Sequence, residues 1–96
     1  MKESQSLTNN LLMEVDVLTN RLRSIRQSYK TTENKALKER LFSENKIIFK
    51  RVNEIYRIAE LLNKNNTEKI NFSNLLVEIT KRTLNEIKFE SNLFFL

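Results

Sequence analysis

The stretch LFSENKIIFKRVNEIYRIAELL, residues 41–62, decides the fold. Leu41, Ile48, Val52, Ile55, Ala59 and Leu62 recur at spacings that keep one helix face apolar. Phe42, Phe49 and Tyr56 lie beside that seam at seven-residue intervals and form an aromatic edge. Ile47, Ile58 and Leu61 fall on a different face. A helix that is apolar on more than one side has more than one neighbour. The pattern extends over residues 33–64, a helix about 48 Å long at 1.5 Å per residue.

Opposite charges decorate the rest of this second helix. Lys35–Glu39, Arg40–Glu44, Lys50–Glu54 and Glu60–Lys64 are i,i+4 pairs. Each contributes only about 0.2–0.5 kcal/mol. Asn45 occupies a seam position between Leu41 and Ile48. A polar seam residue either fixes register at some cost in stability or marks an exposed end of the seam, and both readings stand.

Upstream, residues 5–30 read as helix one. Leu11, Val15, Leu18, Leu22, Ile25 and Tyr29 alternate at spacings of four and three, one heptad seam on one face. Glu14 and Asp16 come early, whereas Arg21, Arg23, Arg26 and Lys30 come late, an order that suits the helix macrodipole. Between the two helices, KTTEN at 30–34 shifts the seam register by two residues. Thr31 or Thr32 is expected to N-cap helix two, with Glu33 in its first turn. A tight turn is the expectation there, with a bent continuous helix as the alternative.

Downstream, NKNNTEK at 63–69 is the clearest break, because Asn tolerates the left-handed conformation that ends a helix. Helix three is expected over about 71–90, carrying Phe72, Leu75, Leu76, Ile79, Leu84 and Ile87. With Asn71 as its cap, Ile70 and Leu75 form a hydrophobic staple. The chain closes on an apolar tail, 91–96, with Leu93, Phe94, Phe95 and Leu96. Such a tail needs covering: either it closes the bundle or its dimer, or it docks on a partner or a lipid surface.

Composition narrows the class. The chain has 96 residues, enough for one domain, 1–96. It has no Gly and no Pro, which disfavours hairpin-rich sheets and phosphate-cradling loops. It has no Cys, so no disulfide staple and no thiolate chemistry, and no His, so the commonest general base and transition-metal ligand are missing. No apolar run approaches the roughly 20 residues of a membrane span, and no secretory signal is visible, so a cytoplasmic protein is expected.

The candidate sites follow from these faces. The net charge is +5 and the isoelectric point about 9.7. Arg23, Arg26 and Lys30 in RLRSIRQSYK, with Lys50, Arg51 and Arg57 further on, are the candidate phosphate contacts. Acids dilute them and no helix-turn-helix pattern accompanies them. The carboxylates Glu86 and Glu90 share a face, and Glu14 and Asp16 do so poorly. No helix offers enough converging acids for a metal site, so no metal, cofactor or catalytic residue is assigned. The triplets at 65–67 and 71–73 read as chance glycosylation motifs in an Asn-rich chain.

The expected architecture is all-α: a three-helix bundle built on a long antiparallel helical hairpin, and dimeric. Helix two offers more apolar arc than one neighbour covers, with Ile48 and Phe49 near the centre of a dimer contact. Met13 and Val17 lie away from the seam of helix one. The candidate interface therefore comprises Met13, Val17, Phe42, Ile48, Phe49, Tyr56, Phe94 and Phe95. The expected function is a non-enzymatic protein–protein interaction module, an adaptor, chaperone-like or regulatory protein. It would pair with itself and with an unidentified protein. The alternative is a nucleic-acid-associated protein using the basic face of helices one and two.

Overall fold

The computed structural model describes residues 2–65 and 72–94, with side chains over 6–64 and 74–87. Among the described residues there are three helices and no strand: α1 (Lys2–Thr31), α2 (Lys35–Asn65) and α3 (Phe72–Phe94). The sequence pattern placed these helices at 5–30, 33–64 and 71–90. Each helix packs on both others, and the molecule measures 50 × 20 × 15 Å. At 1.5 Å per residue α1 and α2 are each about 45 Å long, so both run along the long axis.

The helix is interrupted between α1 and α2, at residues 32–34. Thr31 Oγ1 donates back to the Gln27 carbonyl at 3.0 Å, and the Thr32 amide bonds the Ser28 carbonyl at 2.9 Å, which closes the last turn of α1. The cap of α2 is Asn34, not Thr31 or Thr32. Its Oδ1 accepts from the Leu37 amide at 3.1 Å, and its carbonyl takes the first helical bond, from Lys38, at 3.0 Å. Glu33 therefore lies before the helix rather than in its first turn. Thr32 instead supports the connection, its Oγ1 accepting from the Asn34 amide at 3.2 Å. Asn reaches its own helix's third amide as well as Thr does. No described residue has positive φ, so a chain without Gly makes this connection at no steric cost.

Two apolar clusters form the core. Near the connection, Leu22 and Ile25 of α1 pack with Leu41, Ile48 and Val52 of α2 and Ile87 of α3. Toward the other end, Leu11 and Val15 pack with Ile55, Ala59 and Leu76. Leu18 touches both clusters. The heptad seams thus face inward on α1 and α2, with Leu18, Tyr29 and Leu62 only partly covered.

Threonines share the core. Thr80 and Thr83 are buried, on the same α3 face as Leu76 and Ile87. A buried hydroxyl without a partner is costly. Thr80 meets this by donating to the Leu76 carbonyl at 2.7 Å. Thr83 donates to the Ile79 carbonyl at 3.1 Å, and its oxygen lies 3.1 Å from that of Thr19. Either hydroxyl can donate in this contact, which ties α1 to α3. Thr8 is buried at the far end of the α1 seam.

Asn45 is buried, at 3% exposure, and its Oδ1 has no hydrogen-bond partner. Of the two sequence readings, the exposed seam end is therefore set aside. The Asn71 cap, the Ile70 staple, the two Asn triplets and the covering of the tail lie outside the described residues.

Candidate protein-interaction surface

The outward face of α1 is built by the same periodicity that builds its core face. With Leu11, Val15 and Leu22 buried, residues half a helical turn away point to solvent. Met13 is 68% and Val17 65% exposed, one turn apart on that outer side. Single exposed apolar residues are ordinary, whereas these two are neighbours on one helix face. Asn10, Asn20, Ser24 and Gln27 continue the same line at spacings of three and four, all exposed and all uncharged. The line runs roughly 25 Å along the helix at 1.5 Å per residue.

The outer face of α2 is less uniform. Ile47 is 69% and Leu61 61% exposed, but Arg51 and Glu54 lie between them and are paired with each other at 3.2 Å. Ile58 is turned partly inward onto the second core cluster. Of the aromatic edge, Phe49 packs against the first cluster, Phe42 is partly buried with the Lys46 ammonium 4.7 Å from its ring centre, and Tyr56 is partly buried. Ile48 is 4% exposed, so it offers no surface to a second copy. It cannot stand at the centre of a dimer contact, because it packs inside the chain's own core. The side chain of Phe94 and all of Phe95 lie outside the described residues.

Two of the basic candidates, Arg23 and Arg51, are paired with carboxylates. Arg51 holds Glu14 of α1 through two nitrogens, Nε on Oε2 and Nη2 on Oε1, the latter at 2.9 Å. That bond, first of all, raises the pKa of Arg51; burial opposes it and Glu54 adds to it. The same bond holds the Glu14 carboxyl below its ordinary value against a smaller opposing effect of burial. Arg23 pairs with Glu86 of α3 at 3.7 Å. Arg26 is partly buried, while Lys30, Lys50 and Arg57 are exposed.

A second fork joins α1 to α2. Arg21 donates to both oxygens of Glu44, at 2.6 and 2.8 Å. The bond lowers the pKa of Glu44 and raises that of Arg21. The i,i+4 spacing pairs Glu44 with Arg40 and Glu54 with Lys50 within α2, and the Arg40 charge does add to the lowering of Glu44, behind Arg21. That spacing misses all three cross-helix pairs, because side chains of residues far apart in the chain meet only after packing. The buried threonines were passed over as well, although Leu76, Thr80, Thr83 and Ile87 have heptad spacing. The spacing carries the signal, but a hydroxyl does not mark a position as apolar.

Arg57, Glu60, Leu61, Asn63, Lys64 and Val77 line an open concavity of about 550 Å³ between α2 and α3. Its charges are mixed in sign, so it selects neither an anion nor a cation. No group of three or more acids, His or Cys is placed to hold a metal ion among the described residues. No helix in the described residues is long and apolar enough to cross a membrane. No protein-family model, no curated protein and no solved structure matches the chain.

Proposed function

We propose that this chain is a small, non-enzymatic helical interaction module of the cytoplasm, an adaptor, chaperone-like or regulatory protein. In this reading α1 and α2 form a long antiparallel hairpin, α3 packs across it, and the module works as a homodimer that also engages another protein. The hairpin is supported by the order of the two forks: the later α1 residue, Arg21, meets the earlier α2 residue, Glu44, and Glu14 meets Arg51.

The observation that carries the function is the outward pair Met13 and Val17, 68% and 65% exposed in the middle of an uncharged helix face. Apolar helix faces of this kind bind other helices. The nucleic-acid alternative is the weaker of the two, since Arg23 and Arg51 face carboxylates that offset their charge toward a phosphate.

Affinity capture with the wild-type chain and with a Met13→Glu/Val17→Glu variant tests the reading. The expected result is a stoichiometric complex, with itself or with another protein, that the variant loses while keeping its helical circular dichroism. A wild-type chain that forms no such complex but retards nucleic acid at physiological salt would overturn it in favour of the alternative.

A further inference from the structure

We propose that the outward face of α1 pairs antiparallel with the same face of a second copy of this chain. The inference rests on the interaction-module reading and names its partner. It also moves the self-contact from α2, where Ile48 is buried, to α1.

The spacing comes first. Asn10, Met13, Val17, Asn20, Ser24 and Gln27 alternate at three and four residues, the repeat of a helix seam that meets another helix lengthwise. All six are exposed and none is charged, in a chain whose residues are 30% charged. A solvated helix face has no reason to avoid charge, whereas the buried strip of a helix pair does.

Charge then selects the occupant. Glu14 and Arg21 flank one side of the strip, one heptad apart, and Asp16 and Arg23 flank the other. On each side the acid precedes the base. An antiparallel copy that sets Val17 against Asn20 of the partner subunit brings Asp16 to Arg23 of the partner subunit. It also brings Glu14 to Arg21 of the partner subunit. Two-fold symmetry makes each contact twice. A parallel copy would lay the basic ends, with Arg26 and Lys30, side by side. The strip is therefore complementary to itself reversed.

The in-chain bonds are compatible with this. Glu14 and Arg21 already hold Arg51 and Glu44, which fixes their carboxylate and guanidinium at the flank instead of leaving them to sweep through solvent. Pre-ordered flanking charges lose less side-chain entropy on pairing.

Sedimentation equilibrium and spin labelling test the proposal together. The wild-type chain should be dimeric at tens of micromolar, and Met13→Glu should raise the dissociation constant at least tenfold. Asp16→Arg should weaken the dimer and Asp16→Arg/Arg23→Asp should restore it, with circular dichroism confirming that each variant is folded. Because the chain has no Cys, a Ser6→Cys variant takes one spin label. Antiparallel pairing places the two labels roughly 37 Å apart along the axis, at 1.5 Å per residue. Labels within about 10 Å, the spacing of neighbouring helices, would overturn the antiparallel arrangement. A monomeric wild type, or a dimer indifferent to Met13→Glu, overturns the proposal itself. If a monomeric chain still captures another protein through Met13 and Val17, self-pairing fails while the interaction-module reading stands.

Discussion

Arg51 and Glu14, 37 residues apart in the chain, meet fork to fork at the contact of α2 with α1. The guanidinium also reaches Glu54 of its own helix at 3.2 Å. Both partners are more than a third exposed, at 39% and 37%, so solvent screens most of the attraction. The pair acts mainly on register: a bidentate fork specifies one alignment of two helices whose apolar seams alone would tolerate sliding. A double-mutant cycle with Glu14→Gln and Arg51→Gln should give a coupling of about 0.5–1 kcal/mol, and less at high salt. Zero coupling at low salt would remove the pair from the account of register.

Acid should weaken the molecule in a defined direction. Arg51 and Arg21 hold the Glu14 and Glu44 carboxyls below the ordinary value of 4.5. An unfolded chain takes up these two protons at higher pH than the folded one does. The stability they supply is thus fully present above a pH of about 4.5 and disappears as pH falls through the folded values. Melting temperatures followed down from neutrality should fall more steeply in the wild type than in Glu14→Gln/Glu44→Gln across that window. Parallel curves would contradict the assignment.

Two isoleucines on one helix separate core from surface. Ile55 is fully buried, whereas Ile47 is 69% exposed. Ile55→Ala should cost about 2–5 kcal/mol through lost transfer energy and a residual cavity. Ile47→Ala should stay within about 0.5 kcal/mol. Urea unfolding of both variants checks this, and equal losses would mean that Ile47 is covered in solution.

The cap of α2 offers a local test. Asn34→Ala should destabilise by about 1 kcal/mol, because the Leu37 amide loses its acceptor. Glu33→Ala, one residue earlier and outside the helix, should change stability little. Thermal melts of the two variants distinguish Asn34 from its neighbour as the residue that starts the helix.

Asn45 is the core's polar exception. Its Oδ1 is buried without a hydrogen-bond partner, and such a group costs about 1–3 kcal/mol of desolvation. Asn45→Leu, which keeps the branched shape and removes the polar atoms, should therefore raise the melting temperature. If Asn45 instead sets helix register, the same substitution will broaden the unfolding transition or yield mixed species by size-exclusion chromatography.

Local information in the sequence was enough to determine that this protein is helical and which faces point inward. A chain without Gly or Pro lacks residues that break helices, and apolar side chains at spacings of three and four can share water-free contact on only one side of a helix. Val15, Leu22, Val52, Ile55 and Ala59 were legible for that reason. Tertiary structure alone decided the rest. Whether Glu44 answers Arg40 or Arg21, whether Ile48 faces a second chain or its own core, and whether Thr80 and Thr83 are surface or interior depend on which helices lie alongside. The free-energy differences between those arrangements come from contacts between residues distant in sequence, made only once the three helices pack.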